Sequence, residues 1–286
     1  MFKHLRIPFW AIPVILLLTL GAGSQKQNYM KIKGSETVLP IALELAERFT
    51  DDPKRPDISV TAGGSGVGIA ALLQENTDIA MSSRAIKFKE RASFREQGRP
   101  FEELVIAYDA LAVIAHNSNP VDSLTLEQLK AIFQGKITNW KDVGGEDQNI
   151  VAFNRESSSG TYGFFQKKVL EGDKFGKLQT VGANGELVEK VADNKLTIAY
   201  VGIAYVDPES VKQIKIYNPE LKRSIKPSIE TAMQGEYPLN RPLFFYFLQR
   251  DRERLQPIID FLQSQEGQEM VVGTGYPPNP KYYKKP

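Results

Sequence analysis

Apolar and polar positions in the first third of the chain switch between two periods. Met30-Lys31-Ile32-Lys33 alternates residue by residue, which predicts a strand. From Val38 the apolar positions Val38, Ile41, Ala42, Leu45, Ala46 and Phe49 recur at i, i+3, i+4, i+7, i+8 and i+11, one stripe of a helix. Ile58, Val60 and Ala62 alternate again, and residues 67–73 read as a second helix. Strand, loop and helix thus occur twice in succession, the rhythm of an α/β protein with mostly parallel sheets.

Two long apolar, β-branched or aromatic runs, residues 104–115 and 243–248, lie far apart in the chain. Between them a middle block has its own strand candidates, 150–153 and 197–201, and its own helix, 162–170. The pattern predicts two lobes joined by paired crossings: residues 28–109 with 245–286 form lobe one, and residues 110–244 form lobe two. A single large α/β domain fits the same periodicity.

The first 23 residues stand apart. Lys3 and Arg6 precede an apolar run over 7–20, followed by Gly21-Ala22-Gly23-Ser24, the order of a secretory signal peptide. Pro8 and Pro13 interrupt the run, and it falls short of the ~20 residues of a spanning helix, so a retained membrane anchor is the poorer reading. The sequence has no cysteine, which excludes disulfides, thiol catalysis and a lipid-attachment cysteine, and a soluble periplasmic protein is expected. Charge is nearly balanced at +2, and loss of Lys3 and Arg6 with the leader brings it to neutrality. No global field draws in nucleic acid, so any anion specificity must be local.

Three loops share one composition, each after a predicted strand and before a predicted helix: Gly34-Ser35-Glu36-Thr37, Gly63-Gly64-Ser65-Gly66 and residues 155–161 (RESSSGT). A helix start presents unpaired N–H groups and the positive end of the helix dipole, a natural seat for an anion. Glycine permits close backbone approach, and Ser and Thr hydroxyls add donors without charge. Singly, each loop is an ordinary N-cap. Together, with the planar fork of Arg155, they predict a pocket for a small tetrahedral oxyanion. A fourth segment, residues 78–84 (DIAMSSR), again ends an apolar stretch with hydroxyls and an arginine.

These stretches resemble those of the PstS-type periplasmic phosphate-binding proteins, the receptors of phosphate ABC transporters. The similar segments are 34–40 (GSETVLP), 63–68 (GGSGVG), 78–84, 132–140 (IFQGKITNW), 155–161, 199–204 (AYVGIA) and 237–243 (YPLNRPL). The resemblance implies an α/β type II periplasmic binding protein fold, with two lobes joined by crossing strands and phosphate in the cleft between them. Its binding residues would be Thr37, Val38 (through its N–H), Ser65, Ser83, Arg155, Ser159, Gly160 and Thr161, with Ser35 and Arg84 as secondary candidates. It also implies a monomer serving the permease subunits of an ABC transporter, and neither metal nor cofactor. Some relatives carry an aspartate where this chain has Ser83, and that carboxylate accepts the hydrogen bond from the proton that phosphate bears and sulfate lacks. Here the acceptor would be a serine oxygen, a backbone carbonyl, Glu36 or Asp78, and sulfate, molybdate and arsenate stand as alternative ligands.

Other functions find less support. A serine hydrolase needs a base beside its nucleophile; the chain beyond the leader contains only His116, and Val67 breaks the G-x-S-x-G elbow around Ser65. Residues 66–71 fit G-x-G-x-x-A, but close packing explains those glycines as well, and nicotinamide cofactors are not maintained outside the cytoplasm. Trp140 reads as a buried loop anchor in preference to a stacking platform. A partner-docking protein that leaves the cleft unused shares the same pattern.

Overall fold

The computed structural model describes residues 29–50 and 55–285; the segment read as a secretory signal lies outside them. The chain runs β1 (Tyr29–Gly34), a 3-10 turn (Glu36–Val38), α1 (Leu39–Thr50), β2 (Asp57–Ala62), α2 (Ser65–Leu73), β3 (Ile79–Ser82), α3 (Phe88–Glu96) and β4 (Phe101–Ala110). It continues through β5 (Ala112–His116), β6 (Ser123–Leu124), α4 (Leu126–Phe133), β7 (Val151–Arg155), α5 (Gly160–Lys168), β8 (Gln179–Val181), α6 (Asn184–Ala192) and β9 (Thr197–Val201). It closes with β10 (Val211–Asn218), β11 (Arg223–Ile225), α7 (Ile229–Met233), β12 (Asn240–Leu248), α8 (Arg252–Leu262) and α9 (Gln265–Gly273). Among the described residues no helix is long and apolar enough to cross a membrane.

Local sequence accounts for these elements. In α1 the predicted stripe buries Ile41, Ala42, Leu45 and Phe49, while Glu47 and Arg48 face water. Pro40 sits in the first turn, where its missing N–H has no intrahelical partner to lose. Along β12 the side chains alternate between two cores: Leu243, Phe245 and Phe247 join Met30, Leu45 and Ile259, while Phe244, Tyr246 and Leu248 join Ile69, Leu72 and Phe94. A strand covered on both faces is apolar at every position, hence the unbroken run.

The strands form two sheets, ordered β2-β1-β3-β12-β4 and β11-β10-β5-β9-β7-β8, with β6 on β10. Both are mixed, not mostly parallel: β12 runs antiparallel to β3 and β4, and β5 runs antiparallel to β9 and β10. The cause is the connectivity, since the chain leaves the first sheet through β4 and returns through β12. The apolar run 104–115 divides at Leu111 into β4 in one sheet and β5 in the other. At the return, residues 240–244, read with lobe two from sequence, already pair with β4 in the first sheet. The two passages touch where Leu111 N–H donates to the Leu239 carbonyl (3.0 Å) and the Tyr237 hydroxyl donates to the Leu111 carbonyl (2.8 Å). Trp140 is 2% exposed and donates its indole N–H to the Leu196 carbonyl at 3.1 Å, as an anchor does.

Candidate functional site

The loops at the carboxyl ends of β1, β2 and β3 face the β7–α5 loop of the other sheet, and most of the sequence-derived site residues meet there. Ser35 Oγ donates to Ser83 Oγ at 3.0 Å, Ser65 Oγ lies 3.5 Å from Ser83 Oγ, and the Ser83 N–H donates to Ser65 Oγ at 3.1 Å. Thr37 Oγ1 and Thr161 Oγ1, 124 residues apart in sequence, are 2.9 Å from one another across the cleft. Gly160 packs against the serines so closely that a Cβ there would lie 2.1 Å from Ser65 Oγ and 2.5 Å from Ser83 Oγ. The Gly66 N–H donates to the Ser158 carbonyl at 3.0 Å, and Gly64, at φ +95°, leaves no space for a side chain beside that carbonyl. Ser35, Thr37, Ser65, Ser83, Ser159 and Thr161 are all buried.

The α5 end supplies a well-formed helix start. Ser159 is its N-cap, its Oγ accepting the Thr161 N–H at 3.1 Å, and the first turn points toward the serines. On the facing side, the Val38 N–H donates to the Ser35 carbonyl (3.1 Å) within the 3-10 turn.

Arg155, at the end of β7, is 2% exposed. Its Nη2 donates to Glu36 Oε2 and to the Gly182 carbonyl, each at 2.6 Å, and its Nη1 donates to Asn184 Oδ1. Its Nε is buried with no partner, an unsatisfied donor on a cation, which an anion would relieve. Burial pushes the Arg155 pKa down, and the Glu36 carboxylate opposes the shift.

Arg84 is not aimed at the cluster; its guanidinium forks onto Glu90 (2.8 and 2.7 Å) and reaches the Ala85 carbonyl at 3.1 Å. The carboxylates considered as acceptors of the phosphate O–H are likewise engaged. Asp78 accepts the Lys31 N–H (2.7 Å) and Arg254 (2.6 Å), and Glu36 accepts Arg155 and the Asn184 N–H. The acceptors left in the cluster are hydroxyl and carbonyl oxygens. His116 pairs its ring with Ser118 (2.8 Å), so the cluster serines have no imidazole partner among the described residues. The glycine at 68 serves packing, since a Cβ there would lie 2.4 Å from the Lys33 carbonyl.

One guanidinium escaped the sequence reading. Arg241, in β12, donates through Nε and Nη2 to Asp109 Oδ2 (2.9 and 2.7 Å), through Nη2 to Thr161 Oγ1 (2.9 Å) and through Nη1 to the Ser83 carbonyl (3.0 Å). Arg241 and Asp109 are register partners on adjacent crossing strands, and both are buried. A signal was present in the chain: a lone acid within 104–115 and a lone base just before 243–248, opposite charges in two otherwise apolar runs.

The arrangement gathers hydroxyls, helix-start amides and two buried guanidiniums from both sides of a cleft. A 630 Å³ groove opens beside it, lined on one side by Ser83, Lys87 and Arg241 and on the other by Gly163, Phe164 and Lys167.

A PBP superfamily domain model matches residues 21–266. The chain is 32% identical over 269 residues to the phosphate-binding protein PstS of Staphylococcus epidermidis, covering 91% of this chain and 82% of that one. It is 32% identical over 274 residues to the PstS of Staphylococcus aureus, covering 92% and 83%. Among solved structures, a Clostridium perfringens chain with bound phosphate superimposes with a TM-score of 0.79 at 32% identity, over 88% of this chain and 99% of that one. An ABC-type phosphate transport receptor from Vibrio cholerae does so with a TM-score of 0.70 at 31% identity, over 86% and 98%. With two mixed α/β sheets, a cleft between them and these relatives across nearly its whole length, the chain belongs to the PstS family of phosphate-binding proteins within the PBP superfamily.

Proposed function

We propose that this protein captures inorganic phosphate between its two lobes and delivers it to the permease subunits of an ABC transporter, without catalysing a reaction. The observation that carries this reading is the convergence on one point of Ser35, Thr37, Ser65 and Ser83 from the first lobe with Gly160 and Thr161 from the second. Arg155, with its unsatisfied Nε, supplies charge from the second lobe. A divalent anion sealed from water loses a large hydration energy, and only a dense set of aligned donors offsets it. About eight hydrogen bonds at roughly 1.5–3 kcal/mol each, when charge-assisted, are of that scale. Affinity near micromolar or better, about −8 kcal/mol, is expected.

Donors drawn from both lobes act together only when the cleft is shut, so binding and hinge closure are one event. The closed shape is the form a permease would read. The basic, apolar and small-residue order of residues 1–24 supports a place of work outside the cytoplasm, which we take to be the periplasm, with the protein acting as a monomer.

With the nearby carboxylates engaged, the O–H of hydrogen phosphate would donate its hydrogen bond to a hydroxyl oxygen, which can rotate to accept or donate. Calorimetric titration of phosphate-stripped protein with phosphate, arsenate, sulfate and molybdate tests the reading. Phosphate and arsenate should bind alike and more tightly than the other two. Arg155→Ala should weaken phosphate binding well over tenfold. An affinity within twofold of the parent would remove Arg155 from the site, and the absence of heat with every anion would remove the function.

A further inference from the structure

Two features of the second lobe lack a carboxylate of their own lobe. Helix α6 starts after Ala183, which has no side-chain oxygen to cap it, and Ala is among the poorest residues for that position. The nearest acid in the helix itself, Glu186, lies 3.9 Å from Lys190. Arg155 is the other case, because the acid beside it in sequence, Glu156, is exposed, and the carboxylate that pairs with Arg155 comes from elsewhere.

Both needs are met by one residue of the opposite lobe. The Glu36 carboxylate accepts Arg155 Nη2 at 2.6 Å and the Asn184 N–H at 3.1 and 3.2 Å, so it caps α6 from 148 residues away. The Glu36 carbonyl also accepts the Tyr205 hydroxyl at 2.6 Å. Burial, with Glu36 next to it, raises the Tyr205 pKa, which keeps that hydroxyl a donor. Glu36 sits in the 3-10 turn directly before Thr37, whose hydroxyl meets Thr161. One first-lobe residue therefore touches the end of β7, the start of α6 and the turn at Ile203–Tyr205.

We propose that Glu36 is a positioning residue for anion retention, a clasp that closes the first lobe onto Arg155 and the uncapped end of α6. The inference rests on the phosphate-capture reading for its ligand but not for its geometry. All of these contacts cross the cleft and must part when it opens. The open second lobe then offers Arg155 without its counter-charge, which attracts an anion. Closure brings Glu36 onto the Nη2 side of the guanidinium and leaves Nε to the ligand. Glu36 thus acts on release and not on encounter.

The test uses the full chain after export, phosphate-stripped, with Glu36→Ala, Glu36→Gln and Glu36→Asp. Stopped-flow measurement with inorganic phosphate should show the dissociation rate rising tenfold or more in E36A, with the association rate within threefold of the parent. E36Q should fall between, and E36D should recover part of the loss. Amide exchange at saturating phosphate, when the cleft is shut, gives a second readout, because the Asn184 N–H should exchange at least tenfold faster in E36A while the core strands β1 and β9 keep their protection. Faster exchange throughout E36A marks a folding defect, and E36Q then decides. Dissociation within twofold of the parent overturns the proposal, as does slower dissociation, which would make Glu36 a competitor for Arg155. If the parent binds no phosphate the capture reading falls, and Asn184 exchange alone judges the clasp.

Discussion

At the scale of single residues, Gly160 shows how an absent side chain shapes the site. It opens α5 at the point where the second lobe presses on the serine cluster, and a Cβ there would lie 3.0 Å from Ser65 Cβ as well as within 2.5 Å of two hydroxyl oxygens. Rotating the hydroxyls away would break the Ser83 N–H bond to Ser65 and still leave the carbon contact. Gly160→Ala keeps the backbone N–H and, at the first position of the helix, does not oppose α5 itself. Its cost falls only on the shut cleft. Phosphate affinity measured by calorimetry should therefore drop more than tenfold, while the melting temperature of the phosphate-free protein stays within a few degrees of the parent. A variant that binds as the parent does would mean that the lobes close without this contact.

At the scale of elements, the crossing strands β4 and β12 join the lobes and carry a buried ion pair. Asp109 and Arg241 are 0–2% exposed, and Asp109 Oδ1 also accepts the Ile203 N–H at 2.9 Å, so the pair ties both strands to the second lobe. Removing one partner strands the other in a dry site, which costs about 3–5 kcal/mol, whereas replacing both by apolar groups is often near neutral. Arg241→Met should lower the urea midpoint of unfolding markedly, and Asp109→Leu with Arg241→Met should recover most of it. Equal loss in single and double variants would show that the guanidinium's bonds to Thr161 and the Ser83 carbonyl dominate. This pair also shows where sequence reading stops. Periodicity located β9 at its observed bounds and α1 to within a residue, because each depends on its own burial pattern. The joint composition of the Ser/Thr/Gly loops marked the cluster that the fold assembles. That β12 runs antiparallel between β3 and β4, so that Arg241 faces Asp109, depends on pairing across more than 130 residues. Neither the mixed sheets nor the Glu36 cap of α6 leaves a local trace, since each joins segments that are ordinary on their own.

At the scale of the molecule, the lobes are separate bodies. Each sheet has its own core on either face, and the lobes meet through the two strand passages, through Ile203 and Ala204 packed against the first-lobe core, and through a short series of polar contacts. Those contacts are Thr37 with Thr161, Gly66 with Ser158, Glu36 with Arg155, Asn184 and Tyr205, Arg241 with Thr161, and Asp109 with Ile203. When the cleft opens, water replaces each partner across it, so the net contribution of these contacts to closure is modest and the ligand should dominate it. A ligand that binds only the folded, closed form stabilises it by mass action, about 2.7 kcal/mol at a hundredfold excess over Kd. For a chain of this size each kcal/mol shifts melting by roughly 2–4 °C, so phosphate at that excess should raise the melting temperature by about 5–10 °C in scanning calorimetry. An anion bridging both lobes, as proposed, should make them melt as one transition with phosphate, even if two are resolved without it. In Arg155→Ala, with affinity at least tenfold weaker, the shift at the same phosphate concentration should shrink to half or less. A ligand seated on one lobe alone would raise one transition and leave the other in place, and that pattern would place the anion outside the cleft.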